Sequence, residues 1–386
     1  MDFELSEDHA SYQAVIRDFV NREIRPVARE MEHAGQYPTA IIDKMKDMGL
    51  FGLTVAEEYG GLGSDCVTLA IVFEELARGW MGVAGAIGSH GMACRMIQNH
   101  GTAEQKQRFL PDLASGRRRS GLALTEPDAG SDLQGISTRA VLDGDHYVVT
   151  GTKTWITNAR HADPLPVLVK TDPTAEPRHA GMSMLLVEAG TPGFVVTKDI
   201  GKLGYKGPES CEVVLDGARV PVANLLGGVE GKGFKQAVSG LEVGRVNIAA
   251  RSVGIAHRAL EESLSYAKER HAFGQPIANF QAIQLKLADM ATEVRAARLL
   301  TWWAASRLDA GQRSDVETGM AKLFASEVAI KASLEAMRIH GGYGYSTEFE
   351  IERLYRDAPL MAIGEGTNDI LRTIVARGMV ANGLPE

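Results

Sequence analysis

The chain lacks most of the features by which a function is usually read from a sequence. It has three cysteines in 386 residues, Cys66, Cys94 and Cys211. Their wide spacing and odd number argue against a disulfide framework and make them small core residues. The ten histidines never fall as His-x-x-x-His, and no Cys-x-x-Cys occurs, so no metal site is expected. No Gly-x-Gly-x-x-Gly stands between a strand and a helix, and there is no Walker loop and no Gly-x-Ser-x-Gly. A nicotinamide Rossmann unit and the serine-hydrolase elbow are therefore not indicated. Positive charge is also short: 41 Lys and Arg against 49 Asp and Glu give a net charge of -8 and a pI near 5.8. That balance argues against nucleic acid or an anionic membrane surface as the main partner. No run approaches the roughly 20 apolar residues of a membrane span, so membrane insertion is not expected. The opening Met1-Asp2-Phe3-Glu4-Leu5 has no basic segment followed by an apolar one. A cytoplasmic protein is expected, although a mature mitochondrial chain would read the same way.

What the chain does have is length and apolar content. At 386 residues and 45% hydrophobic it exceeds what one core usually serves, so two or three domains are expected. Tyr12, Val15, Ile16, Phe19, Val20 and Ile24 recur at helical spacing and predict a helix ending at Pro26. A second run covers Ile41 to Met48 before Gly49, and a longer apolar helix covers residues 66 to 79. Thr102 with Gln105 gives a capping box before Phe109, Leu110 and Leu113. Near Ser120 the composition changes. His146 to Thr150, Met182 to Val187 and Glu212 to Leu215 are short and β-branched, with Asp143-Gly144, Pro192-Gly193 and Asp216-Gly217 as turns. This is the pattern of an antiparallel β domain. Helical spacing returns from Gly233, notably over 279 to 309 and 315 to 340. The reading is an α+β chain, mostly α, divided at 1–119, 120–232 and 233–386.

Five segments could carry chemistry. In Ala362-Ile363-Gly364-Glu365-Gly366-Thr367-Asn368-Asp369 one carboxylate lies between two glycines at the mouth of a helix that Thr367 can cap. Glu365 reads as a base, or as an ordinary acid stabilising a helix start. Leu122 to Asp132, containing Thr125-Glu126-Pro127-Asp128-Ala129-Gly130-Ser131, follows an apolar strand and offers amides and hydroxyls to an anionic or heteroaromatic ligand, or forms a plain turn. Lys153-Thr154-Trp155-Ile156-Thr157 presents a flat ring with flanking hydroxyls. Arg270, His271, Ala272, Phe273 and Gly274 join two long helices, with Gln281 at the start of the second. An arginine beside an aromatic suits a pyrophosphate and an adenine. Arg338 to Tyr345 holds Gly341, Gly342 and Gly344 after a helix, more glycine than a C-cap needs.

Together and in this order these segments resemble the acyl-CoA dehydrogenase family over essentially the whole chain. Thr125 to Asp132 looks like its first signature, and Gly341 to Tyr345 with Glu352 to Asp357 like its second. The resemblance implies an N-terminal helical domain, a central β domain, a C-terminal four-helix bundle, FAD and usually a homotetramer. Leu122, Leu124, Thr125, Gly130, Ser131, Trp155, Ile156 and Thr157 would hold the flavin. Arg270, Phe273, Gln281, Arg338, Gly341 and Gly342 would hold adenine and pyrophosphate, partly across a subunit interface, and Thr367 and Asp369 would also touch FAD. Ser131, Glu242, Arg245, Gly364 and Gly366 would meet the acyl-CoA, with Glu365 as the base. Some members carry the base immediately before the arginine matching Arg245, where this chain has Gly244; many have Gln at the position of Arg338.

The implied reaction removes an α proton to Glu365 and a β hydride to flavin N5. It gives a trans-2-enoyl-CoA, with an electron-transfer flavoprotein as acceptor. Gly364 leaves space beside the reacting carbons and leans towards a short, branched or bulky acyl group. An acyl-CoA oxidase using O₂ and a non-catalytic flavin, acyl-CoA or nucleic-acid binding protein are the rival readings.

Overall fold

A computed structural model describes residues 4–312 and 314–383. The first helix, α1 (Glu7–Phe19), is capped by the Ser6 side chain accepting from the His9 amide. The expected stop at Pro26 does not occur. The chain passes through one wide helical turn, Val20–Ile24, into α2 (Arg25–His33). Pro26 falls in the first turn of α2, where its missing N–H is not needed. Helix α3 (Thr39–Asp47) ends before Gly49 at φ 74°, a left-handed conformation that glycine adopts freely. Helix α4 (Cys66–His100) runs well past residue 79, interrupted by the extended backbone of the fully buried Trp80 (φ -159°, ψ 110°). Helix α5 (Ala103–Ala114) has the expected capping box, with both reciprocal Thr102–Gln105 bonds formed.

The middle of the chain forms β1 (Arg139–Asp143), β2 (His146–Thr157), β3 (Leu165–Lys170), β4 (Met182–Val187), β5 (Phe194–Asp199) and β6 (Ser210–Pro221). They lie in the order β4-β3-β1-β2-β6-β5. Among the six named strands the sheet departs from the expected antiparallel one at a single pairing. Strand β3 crosses β1 to lie on its far side and so meets it parallel, at Arg139 and Lys170. The apolar strand expected before the Thr125 segment is reduced to one bridge, in which Ala123 exchanges bonds of 2.9 and 3.0 Å with Pro166 and Leu168 of β3. Asp216-Gly217 is not a turn. It is a bulge inside β6, where two residues face Thr150 alone and Gly217 takes φ 65°. A second bulge, at Thr154-Trp155 of β2, faces Glu212 of β6 and puts Trp155 at φ 63°.

The rest is helical: α6 (Gly233–Glu269), a hairpin β7 (His271–Ala272) and β8 (Gln275–Pro276), α7 (Gln281–Asp309), α8 (Asp315–His340), α9 (Ile351–Ile363) and α10 (Asn368–Asn382). Helices α4 and α6 approach so closely that a Cβ on Gly254 would lie 2.3 Å from the Glu74 carbonyl oxygen. Helix α9 ties the three parts together. Arg356 forks onto Glu32 of α2 and onto Glu352, the buried Arg353 donates to the Gly79 carbonyl at 3.0 Å, and Asp357 accepts the Tyr205 amide at 2.6 Å. Among the described residues no helix is long and apolar enough to cross a membrane.

Candidate active site

Helix α9 ends at Ile363, and α10 begins after Thr367, whose hydroxyl accepts the Ile370 amide. The short turn between them holds Glu365 at φ 56° and Gly366 at φ 91°. A glutamate in left-handed backbone carries strain of about 1 kcal/mol or more and persists only where surroundings impose it. Lys322 of α8 imposes it. Fully buried, its ammonium donates to the Gly366 carbonyl at 2.8 Å and to Asn368 Oδ1 at 2.9 Å. Asn368 in turn bonds Ser326 and Glu327, so these four bonds tie the turn to three side chains of α8. Burial pushes the Glu365 carboxyl above the usual range, against the pull of Arg251, Lys322 and Arg245. Burial also draws Lys322 down to about 8, although Glu365 opposes it.

The opposite wall is the seam of α4 and α6. A Cβ on Gly244 would sit 2.5 Å from Met92 Sδ and 3.1 Å from Glu365 Oε2. The two positions at which the resemblance puts a base therefore face one point in space. Beside Gly244, the buried Arg245 sends Nη1 to the Asp315 carbonyl at 3.4 Å, while its Nε has no partner among the described residues. Glu242 lies one turn earlier and acts on Arg245 electrostatically. A Cβ on Gly364 would meet only the Leu360 carbonyl oxygen, at 3.5 Å, so the side of the turn next to Glu365 is open.

The segment 122 to 131 is anchored by a buried ion pair. Glu126 accepts from the Ser137 and Thr138 amides, the Ser137 hydroxyl and Lys153 Nζ; Lys153 also donates to the Leu124 carbonyl. Leu124 and Ile156 turn their side chains into cores and leave only main chain for a ligand. Thr125 and Thr157 are half-buried, Gly130 and Ser131 are exposed, and the Trp155 indole is 56% exposed on its bulge. Asn158 then pins the end of β2 to α4 through the Ala86 carbonyl, 2.7 Å away.

The nucleotide candidates separate into two groups. Arg270, Gly341 and Gly342 line one cavity of about 700 Å³ with Tyr266, His340 and Tyr343. Phe273, 95% exposed at the hairpin tip, and the exposed Gln281 do not line it. Arg338 stands outside it too, paired with Glu335, and Asp369 pairs with Arg372. Inside the cavity the buried His340 Nε2 has no partner among the described residues, and neither glycine meets an atom within 4 Å of an added Cβ. An orphaned donor or acceptor, an arginine and bare backbone fit a dinucleotide. The exposed Trp155 face and the amides of 122 to 131 fit a flavin ring. Lys322, Arg251 and Tyr205 were not legible as site residues. A lysine among the alanines of α8 was the available signal for the first.

The fold and site define a flavin-dependent oxidoreductase that acts on an acyl thioester. The acyl-CoA dehydrogenase N-terminal, middle and C-terminal domain models match residues 6–117, 121–218 and 231–380, and the chain belongs to that family of FAD-dependent enzymes. It is 44% identical to a probable acyl-CoA dehydrogenase of Bacillus subtilis over 98% of this chain and 100% of that one. It is 39% identical to the CarC subunit of the caffeyl-CoA reductase-Etf complex of Acetobacterium woodii, over 96% and 98%. The butyryl-CoA dehydrogenase structure from Megasphaera elsdenii superposes with a TM-score of 0.95 at 37% identity, covering 98% of this chain and 100% of that one. The chain is thus an acyl-CoA dehydrogenase in family and reaction class.

The Glu126 pair sets a test of the scaffold. Opposing its burial, Lys153 and the amides hold the Glu126 carboxyl down at about 2. Its stabilisation is therefore complete above the ordinary glutamate pKa and is lost as the pH falls towards 2. Glu126→Gln leaves the Lys153 ammonium unpaired and lowers unfolding free energy by about 3 kcal/mol at neutral pH. Urea titrations of both proteins should converge as the pH falls below 4 on the linkage of this one carboxyl; a constant gap would count against it.

Proposed function

We propose that Glu365 is the base that removes the α proton of a bound acyl-CoA, and that the product is a trans-2-enoyl-CoA. The observation that carries this reading is the strained Glu365 turn, tied down by Lys322 and facing the bare backbone of Gly244. The carboxyl has its proton affinity raised by burial, as a base at neutral pH requires. Its main-chain N–H can donate to the thioester carbonyl as enolate character develops. Leu122, Leu124, Thr125, Gly130, Ser131, Trp155, Ile156, Thr157, Thr367 and Asp369 are assigned to the flavin half of FAD, and Arg270, Phe273, Gln281, Arg338, Gly341 and Gly342 to the nucleotide half. Bound FAD supplies the hydride acceptor. Ser131, Glu242 and Arg245 are assigned to the CoA thioester. The open space at Gly364 and Gly366 supports a short, branched or bulky acyl group.

An electron-transfer flavoprotein is proposed as the acceptor, supported by the Etf complex of the Acetobacterium woodii relative. Three buried, free cysteines support a reducing compartment such as the cytoplasm. The exposed Phe273, at 95%, and Tyr345, at 85%, support a homotetramer in which the bundle surfaces are covered. Light scattering should give the mass of four 41.6 kDa chains; a monomeric mass overturns that arrangement.

Glu365→Gln should yield a yellow, folded protein whose flavin no acyl-CoA bleaches under anaerobic conditions. Normal bleaching would remove Glu365 from the mechanism. With the native protein, turnover by electron-transfer flavoprotein or a dye should exceed turnover by O₂, and the reverse would identify an oxidase. Lys322→Met removes both a tether and a cation that lowers the Glu365 pKa. We expect kcat to fall about 10- to 100-fold, and the acid limb of kcat/KM, on which activity rises with pH, to move to higher pH. A fall in rate with an unmoved limb would leave Lys322 a structural role only.

A further inference from the structure

The seam that holds Gly244 continues away from Glu365 to a floor that is unexpectedly polar. On α6, Gly244, Asn247 and Arg251 share one face; on α4, Met81, Gly85, Gly88 and Met92 share the face opposite. Met92 meets Gly244, Asn247 Nδ2 lies 2.8 Å from a Cβ placed on Gly88, and Arg251 Nη1 lies 3.9 Å from Met81 Sδ. The space that a side chain at Gly85 would need is taken by the Tyr205 hydroxyl, 2.0 Å from that Cβ position. Glu365 therefore stands at one end of the seam. Tyr205 stands at the other, and the Arg251 backbone lies seven residues or about 10 Å along α6 from Gly244, with its guanidinium still within electrostatic reach of Glu365.

Arg251 is 7% exposed, and among the described residues no carboxylate forms an ion pair with it. Its Nε is shut from solvent without a partner among those residues, and Asn247 Oδ1 and Trp80 Nε1 beside the seam are likewise unpartnered. A purely aliphatic acyl chain would gain nothing from a guanidinium, a phenol and a carboxamide at its end. Arg251 acts on the Glu365 carboxyl through space, but among the described residues no carboxylate touches it, and a buried cation with no direct ion pair is costly unless a ligand provides one. The guanidinium is a planar fork suited to a carboxylate.

We propose that Arg251, assisted by Tyr205 and Asn247, binds a carboxylate at the far end of a short acyl group, so that the preferred substrate is a short dicarboxylic acyl-CoA. Tyr205 limits the length of the chain and Arg251 selects its terminus. This rests on the reading that the seam beside Glu365 receives the acyl group.

The test uses the FAD-loaded native enzyme with succinyl- and glutaryl-CoA against butyryl-, pentanoyl- and 4-hydroxybutyryl-CoA. The carboxylate-ended substrates should lead in kcat/KM by about 10-fold or more, the usual worth of a charge-assisted bond in a buried site. Arg251→Gln and Arg251→Met should each shrink that ratio about 10- to 100-fold, mainly through KM. A native preference for uncharged or hydroxyl-ended chains overturns the inference, as does a ratio that Arg251→Gln leaves unmoved. Should neither variant fold, the native panel alone decides. If uncharged chains bleach the flavin and dicarboxylic ones do not, only this inference fails; if no acyl-CoA bleaches it, the reading beneath it fails instead.

Discussion

The contact on which the molecule turns is the antiparallel seam between α4 and α6. Neither helix is strongly one-sided: 28 of the 35 residues of α4 are buried, which follows only if it is covered all round. Small residues allow the approach. Gly254 rests against the Glu74 carbonyl, Gly88 against Asn247, and Gly244 against Met92. Because the backbones come so near, a side chain entering from a third element has a fixed place. Tyr205 enters over Gly85, and the Glu365 carboxylate enters over Gly244. Repacking the seam would move the site with it, since interiors at this density transmit displacement rather than absorb it.

The same seam sets the electrostatics. Three cations, Arg251, Lys322 and Arg245, bear on one carboxylate, yet burial still wins and its proton affinity stays raised. Had the cations stood in contact with Glu365, they would have fixed it as a permanent anion with little basicity. Instead each is committed or directed elsewhere: Lys322 to the Gly366 carbonyl and Asn368, Arg245 towards Asp315, Arg251 towards Met81. A carboxyl tuned in this way depends on distance as much as on residue type.

Much of this was legible in the sequence because it rests on local rules. The Thr102–Gln105 box, the Gly49 stop and the Thr367 cap follow from turn chemistry within four residues. The order of helices, sheet and helices follows from a change of period. Three readings fell short where tertiary contact overrode the local signal. Pro26 falls in a helical first turn because a wide turn precedes it. Asp216-Gly217 bends a long strand without ending it. The helix read over 66 to 79 does break at the extended, fully buried Trp80, but it resumes beyond it to His100. Arg251 and Lys322 were invisible for a related reason. A lone cation in an alanine-rich helix looks like a solvated face until the helix opposite is known.

The two signature segments divide their work differently from what their sequences suggest. In the first, Glu126 looks like a ligand group but is the anchor, bonded to Lys153 and two amides; the Leu124 and Thr125 carbonyls beside it are taken by Lys153 and the Thr154 amide, and it is their N–H groups that face no protein acceptor among the described residues. In the second, Glu352, Arg353, Arg356 and Asp357 are nearly all engaged with α2, α4 and Tyr205. That last bond matters for chemistry at a distance. Asp357 holds the amide of Tyr205 in left-handed backbone at φ 55°, and the Tyr205 ring closes the end of the seam. On the proposed reading, the space between Glu365 and Tyr205 is bounded through a carboxylate on α9, the same helix whose C-terminus leads into the Glu365 turn. One rigid element then holds both ends of the space proposed for the acyl group.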